Sequence, residues 1–420
     1  MRIAVVGTGI AGLTLAHLLS EEHDVVVFEA DDRVGGHTHT VDVEIPEGRV
    51  AVDTGFIVCN NWNYPNFLKL LDRLGVRTQP SDMSFSVRCE RSGLEYNGGS
   101  WNGLFAQRLN ALRPSFWRML SDILRFNRES LALLETGGEG PSLGEYLQSG
   151  EYRRDFVEHY LIPMGAAIWS SPPDQMMEFP ARSFVQFFKN HGLLSVSDRP
   201  QWATLVGGSR AYLEPITRPF PDRIRLRSPV LGIRRHADGV TVRTPQGVEA
   251  FDEVAIAAHS DQALRMLEDP NDAEREVLST IQYQENDVVL HTDDRMMPRS
   301  KRAWASWNYH VDAGKRATVT YWMNHLQRLP IQTPLLVTLN RNQAIRPEKI
   351  LRKFVYHHPI FGRGSTEAQA RWSEVNGVRR TWFCGAWWGY GFHEDGVRSA
   401  LRVAEKFGCT LGAPRRRQLV

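Results

Sequence analysis

At 420 residues the chain is too long for one ordinary core and points to two or three domains with ample material for a buried ligand. Fifty Lys and Arg against 48 Asp and Glu leave a formal charge of +2, which excludes a general attraction to nucleic acid. Four cysteines, Cys59, Cys89, Cys384 and Cys409, form no C-x-x-C pair and so indicate neither a zinc site nor a disulfide framework; a reducing cytoplasm and no metal are expected.

The chain opens on a strand, Ile3 to Val6, that runs straight into Gly7-Thr8-Gly9-Ile10-Ala11-Gly12. In this G-x-G-x-x-G turn Gly7 permits the tight reversal, Gly9 lets backbone approach a pyrophosphate, and Gly12 lets the following helix pack on the sheet. Leu13 to Leu19 supplies that helix, and Asp24 to Phe28 is a β-branched run suited to a buried parallel strand. Glu29 ends the strand 22 residues after Gly7, where a βαβ unit places a carboxylate against a ribose diol. With a strand at residue 2 no signal peptide is expected, and no run approaches the length of a membrane span.

Next come the paired glycines of Val34-Gly35-Gly36-His37-Thr38, then a strand over 50–58 interrupted at Asp53-Thr54-Gly55. Helical spacing follows over Tyr64 to Leu74 and largely over Trp101 to Leu147, until Pro163, Pro172, Pro173 and Pro180 break it. Arg108, Arg113, Arg118, Arg125 and Arg128 dot this segment among Leu, Phe and Trp, and Arg415 to Arg417 lie near the end; both read as solvated faces or as contacts for anionic lipid. Strands return at Ile224 to Arg234, Gly239 to Arg243 and Val248 to Ala257, and again between 283 and 342, where aromatics are dense. Thr381 to Phe383 leads into a Gly-rich turn, and Val397 to Phe407 is a terminal helix.

The N-terminal glycine turn, the Glu29-to-Gly36 loop, Leu205-Val206-Gly207-Gly208, Asp252 to Ala257 and the Gly385-to-Gly396 turn, in that order, resemble the flavin amine oxidase and phytoene desaturase superfamily. Stretches such as Asp53 to Val58, Ser306 to Tyr309, Tyr321 to Gln327, His357 to Phe361 and Gly391 to Gly396 are similar to one branch, the FAD-dependent methyl-branched fatty acyl desaturases of furan fatty acid synthesis. The resemblance implies an α/β fold, with a Rossmann-like FAD-binding domain over 1–80, 205–275 and 360–420 and an interleaved α+β substrate domain over 81–204 and 276–359. It places Gly7, Gly9, Ala11 and Gly12 around the FAD pyrophosphate, and Glu29 and Ala30 at the adenosine ribose. Val230 would lie beside the adenine, Gly36, His37 and Thr38 under the phosphates, and Gly55, Phe56 and Ile57 against the isoalloxazine. Gly385 and the backbone of Glu394 and Asp395 would complete the ribityl and pyrimidine end.

Three positions depart from the amine-oxidase pattern: His37 stands where Arg commonly follows the paired glycines, Ala386 where an acid is usual, and His393 where an aromatic cage has tyrosine. An imidazole is a poor cage wall for an amine, which moves the expected substrate toward an acyl lipid. Candidate channel residues are Trp62, Phe187, Phe188, Trp304, Trp307, Tyr321, Trp322, Met323, Trp387 and Trp388. His393, as a group titrating near neutrality, and Tyr390 are the candidate catalytic bases, with His393 as a mere hydrogen-bonding group the alternative. Glu394 and Asp395 fit the N-terminus of the last helix, and His357 and His358, adjacent in a strand, point to opposite faces and suit no single ion. The functions expected are desaturation of a methyl-branched acyl chain, amine oxidation, or flavin binding without turnover. Peripheral contact with the inner membrane face is a further expectation, and the sequence leaves the oligomeric state open.

Overall fold

The β-branched strand Asp24–Phe28 pairs in parallel with Arg2–Val6, and three more parallel strands extend the sheet to the order Ile224–Arg225, Asp24–Phe28, Arg2–Val6, Glu253–Ile256, Thr381–Phe383. These strands come from widely separated stretches of chain, and helix Ile10–Leu19, buried along its whole length, packs between this sheet and the last helix, His393–Ala404. The computed structural model describes residues 1–135, 137–138, 140–195, 197–311 and 316–412, so the Arg415–Arg417 run lies outside the described residues.

A second, seven-stranded mixed sheet runs Ile350–Ile360, Gln282–His291, Leu336–Leu339, Val319–Trp322, Trp307–Val311, Phe85–Cys89, Glu95–Asn97. Helices Pro114–Glu129, Ile162–Trp169 and Ala181–Asn190 belong to the same part of the molecule and pack aromatic side chains inward, among them Phe116, Phe126, Trp169, Phe184 and Phe188. The helical stretch expected over 101–147 is broken into one long helix, Pro114–Glu129, and short helical turns at Trp101–Leu104, Arg108–Leu112, Ser130–Leu134 and Leu143–Ser149, with Pro114, which has no N–H to donate, starting the long one.

The strand expected over 224–234 is two. Ile224–Arg225 joins the parallel sheet, whereas Gly232–Arg235 starts a three-stranded antiparallel sheet with Val240–Thr244 and Gly247–Phe251. Between them Arg227 has φ +51°, Ser228 N–H donates to the Glu29 carbonyl at 2.8 Å, and Pro229 has no N–H to offer a ladder. Val248 to Ala257 divides likewise, at Asp252, whose carboxylate accepts from the Arg2 N–H at 2.7 Å.

The two parts are joined at a buried carboxylate. Asp53, at the end of strand Gly48–Asp53, accepts from the Thr40 hydroxyl at 2.6 Å, from the Ser209 N–H and hydroxyl, both at 2.8 Å, and from the Gln327 amide at 3.0 Å. The paired glycines at 207–208 exist for this contact: Gly208, at φ +88°, lets Ser209 reach Asp53, and a Cβ there would stand 2.7 Å from Thr40 Cγ2. Burial pushes the Asp53 carboxyl up to about 6.

Candidate active site

Three glycines at the first turn behave in three different ways. A Cβ on Gly7, which has φ +101°, would stand 2.7 Å from the Ala257 carbonyl oxygen, and one on Gly12 would stand 2.0 Å from the Gly7 carbonyl oxygen. A Cβ on Gly9 would meet nothing within 4 Å. Gly7 and Gly12 therefore close strand, turn and helix onto one another, while Gly9 is bare toward open space. The paired glycines pack over this turn: Gly35 N–H donates to the Thr8 carbonyl at 3.1 Å, and Gly36 lies against Gly9. Glu29 accepts from the Thr8 and Asp31 N–H groups, each at 2.9 Å, and from the Thr8 hydroxyl.

The open space is a cavity of about 980 Å³ that begins at the glycine turn and reaches the seven-stranded sheet. It lies at the carboxyl ends of Arg2–Val6 and Glu253–Ile256, where the order of the parallel strands reverses, as expected of open α/β sheets. Gly7, Gly9, Ala11, Glu29, Ala30, Gly36, His37, Gly55, Phe56, Ile57, Val230, Gly385, Tyr390 and His393 all line it; Gly12, Thr38, Glu394 and Asp395 do not. Its far half is walled by Met83, Phe85, Met164, Ile168, Trp169, Phe187, Trp307 and Tyr321. Among the described lining residues the only carboxylates are Glu29 and Asp31, both just after strand Asp24–Phe28.

His393 lines the cavity with its ring held at its face and its edge. Its ring stacks on Phe56 with centroids 3.6 Å apart and planes at 15°, and its Nε2 lies 3.1 Å from the Thr38 hydroxyl, which also bonds Tyr212. Burial, with the neighbouring His37 adding to it, holds its pKa well below the ordinary histidine range. The ring is therefore neutral rather than titrating near neutrality, and its stack on Phe56 and contact with Thr38 match the hydrogen-bonding alternative. Tyr390 lines the cavity, but burial raises its phenol, so it stays protonated and is no proton acceptor.

Glu394 and Asp395 form the first turn of the last helix as expected, but their side chains turn to neighbouring backbone. Glu394 caps helix Pro65–Leu74 by accepting from the Asn66 N–H at 3.2 Å and the Phe67 N–H at 2.8 Å. Asp395 accepts from the Tyr390 and Phe392 N–H groups, both at 3.0 Å, and shapes the Gly-rich turn. Of the expected channel residues, Phe187, Trp307, Tyr321 and Trp387 line the cavity; Trp62 is exposed, Phe188 is in the core, and Trp304, Trp322, Met323 and Trp388 stand outside the lining.

Sequence reasoning missed His259, Tyr283 and Tyr356 as lining residues. His259 could have been found, since it directly follows the buried strand Glu253–Ile256 at the switch in strand order. Its ring lies flat on Tyr283, with centroids 4.1 Å apart, and 6.4 Å from that of His37; His358 lies 5.5 Å from His37. Burial pushes His37 and His259 down to about 4 and His358 to about 3. His37 Nε2 is buried without a hydrogen-bond partner.

The arrangement fits FAD. Gly9 leaves room where a pyrophosphate would meet the helix N-terminus, Glu29 stands at the adjacent strand end, and the unpaired His37 nitrogen offers a donor beside Gly36. The chain belongs to the flavin-containing amine oxidoreductase family, whose model matches residues 10–348, and its cofactor is FAD. It is 27% identical over 257 residues to the flavin-containing amine oxidase A of Bos taurus, covering 58% of this chain and 46% of that protein. With the L-amino-acid oxidase of Mus musculus it shares 24% identity over 288 residues, 63% of this chain and 40% of that one. The chain thus spans about half the length of these relatives.

Solved structures show the same α/β FAD-binding fold over the whole chain. The cyclohexylamine oxidase of Brevibacterium oxydans superposes with a TM-score of 0.71 at 15% identity, covering 97% of this chain and 99% of that one. The CLA-producing fatty acid isomerase of P. acnes gives 0.68 at 16% identity, covering 97% and 98%. Among the described residues, no helix is long and apolar enough to cross a membrane.

The glycine geometry separates cofactor from fold. Gly9→Ala is expected to leave the melting temperature of the apoprotein nearly unchanged and to lower FAD occupancy about tenfold or more, whereas Gly12→Ala is expected to prevent folding; thermal unfolding and flavin absorbance check both. Acid stability follows from the histidines. His37, His39, His191, His259, His291, His310 and His358 are all lowered in the fold, so below the ordinary histidine pKa the unfolded chain takes up protons that the folded chain does not. Stability present above about pH 6.5 is lost as pH falls toward about 4. The raised carboxyls of Asp53, Glu394 and Asp395 act in the opposite sense and are outnumbered. Calorimetry across this range should show a steadily falling melting temperature; a constant one contradicts the burial of neutral histidines.

Proposed function

We propose that this flavoenzyme desaturates a methyl-branched acyl chain of a lipid. The observation that carries the reading is the far half of the cavity, walled by Met, Ile, Phe and Trp side chains with no carboxylate among its described lining residues. A cationic amine entering it would exchange water for an apolar wall without a counter-charge, whereas an acyl chain gains by the same exchange. His393 adds to this, since its ring is stacked on Phe56 and does not stand as one wall of an open aromatic pair. The fold that holds this cavity also serves a fatty acid isomerase.

When bound, FAD would supply a two-electron acceptor for a hydride from one carbon. The proton leaving the neighbouring carbon would pass to a neutral imidazole of the lining, either His191, beside Phe187, or His393. The chain's own part is otherwise shape. Trp307 and Tyr321 meet edge to face at 4.8 Å on adjacent strands and form one wall; Phe187, stacked on His191 at 3.8 Å, forms the other. Burial keeps the Tyr321 phenol protonated, so the Trp307–Tyr321 wall carries no charge at neutral pH. Such an apolar channel would orient a chain by contact and exclude water from the reacting carbons.

A pair of phospholipids, one with a methyl-branched acyl chain and one with the matching straight chain, tests the proposal when incubated with the FAD-loaded protein in air. Mass spectrometry should show one pair of hydrogens lost from the branched chain only. Both lipids returning unchanged, while primary amines release hydrogen peroxide, would establish the amine-oxidase reading instead.

A further inference from the structure

Six of the thirteen large apolar side chains exposed among the described residues fall between residues 101 and 131. Trp101 is 76% exposed, Leu109 68%, Leu112 78%, Trp117 49%, Leu124 60% and Leu131 38%. Single exposed apolar residues scattered over a surface need no explanation, but a contiguous group does. Four of these, Trp101, Leu109, Leu112 and Trp117, stand together: Trp101 lies parallel to Phe105 at 6.3 Å, and Phe105 meets Trp117 at 5.8 Å. The Trp117 indole N–H donates to the Ala111 carbonyl at 2.9 Å, which ties helix Pro114–Glu129 to the turn Arg108–Leu112 carrying Leu109 and Leu112. On that helix Phe116, Met119 and Phe126 face inward, and Leu124 stands two turns after Trp117 on the outer side.

Charge gives the face its partner. The same segment holds five arginines, Arg108, Arg113, Arg118, Arg125 and Arg128, against two carboxylates. Of these carboxylates Asp122 is buried and bonded by Arg153, while Glu129 pairs with Arg128. Among the described residues Arg108 bonds only the Asn102 side-chain oxygen and the Phe105 carbonyl, and Arg113 has no carboxylate partner. Exposed Trp and Leu fringed by arginine is the composition of a surface lying in a lipid headgroup layer. The face also adjoins the cavity: Gly98 and Gly99 line it and lead directly into Trp101, and Tyr96 lines it while its ring meets Phe116 at 5.9 Å.

We infer that the face formed by residues 101–131 adsorbs to an anionic lipid bilayer and holds the cavity mouth against it. Trp101, Leu109, Leu112 and Trp117 enter the headgroup layer, and Arg108 and Arg113 meet the anionic lipid, while Arg118, Arg125 and Arg128 are paired with Asp155, Asp122 and Glu129. This supplies the route by which an acyl chain reaches the cavity and so rests, for its use, on the acyl-lipid reading above; the adsorption itself needs no turnover.

The test uses FAD-loaded protein and vesicles of straight-chain phosphatidylcholine, with or without phosphatidylglycerol, sedimented at low and high salt. Binding is expected to require phosphatidylglycerol and to weaken with salt. The exposed triple variant Trp101→Ser, Leu109→Ser, Leu112→Ser should bind about tenfold less or worse, with FAD content and melting temperature unchanged. Quenching of tryptophan fluorescence by brominated chains should fall in the same variant. Protein that stays in the supernatant at every phosphatidylglycerol fraction, or a triple variant that binds like the parent, overturns the inference. So does a parent dimer that the triple variant dissolves, because the face then belongs to a second copy of the chain. Since these vesicles contain no methyl-branched chain, failure to bind speaks against the surface alone, whereas binding here together with an unchanged branched lipid in the turnover assay above speaks against the substrate reading alone.

Discussion

The structure depends on how closely its backbone segments approach one another at the first glycine turn. Gly12 sits over the Gly7 carbonyl, Gly7 against the Ala257 carbonyl, and Gly55 against the His37 carbonyl, where an added Cβ would stand 2.1 Å away. These contacts draw together the ends of two central parallel strands, the first helix and the loop before Phe56. What they leave bare is Gly9. A protein interior is close-packed, so a bare backbone of this kind at a helix N-terminus is space reserved for a ligand rather than slack. The Asp53 bonds to Thr40, Ser209 and Gln327 then set the second part of the molecule over the same opening.

Two different electrostatic regimes share the one cavity. At the glycine turn there are polar groups to meet a dinucleotide, namely Glu29, the helix N–H groups and the unpaired His37 nitrogen. Toward the seven-stranded sheet the walls are largely apolar and, Arg199 apart, the titratable side chains lining them are rings that burial holds neutral. Among the described lining residues, negative charge is thus confined to the cofactor end, and Arg199, beside Tyr160, is a cation lining the far half; this suits a neutral or anionic substrate better than a cation.

Much of the cofactor end was legible in the sequence, because its requirements are local. A glycine that must touch a carbonyl, or a carboxylate at a strand end, sits at a fixed spacing from its neighbours, so Gly7, Gly9, Gly12 and Glu29 announced themselves. The substrate end was legible only in kind. Twelve tryptophans in the chain foretold an aromatic channel, yet Trp304, Trp322 and Trp388 pack outside it while Trp169, which was not singled out, lines it. Which face of a strand or helix meets a cavity depends on contacts far away in sequence. His393 shows the same limit. Its position on the Gly-rich turn suggested a group titrating near neutrality, but the Phe56 stack and the burial that lower its pKa come from residues more than three hundred positions earlier. The split of the 224–234 strand had a visible signal in Pro229, which cannot continue a ladder.

The central claim is that the neutral, apolar half of the cavity presents an acyl chain to the flavin. Anaerobic mixing of the FAD-loaded protein with a methyl-branched acyl lipid, followed at the flavin absorbance band, tests it most directly. The account predicts bleaching by the branched lipid and none by amines. Bleaching by amines with the lipid inert would contradict it.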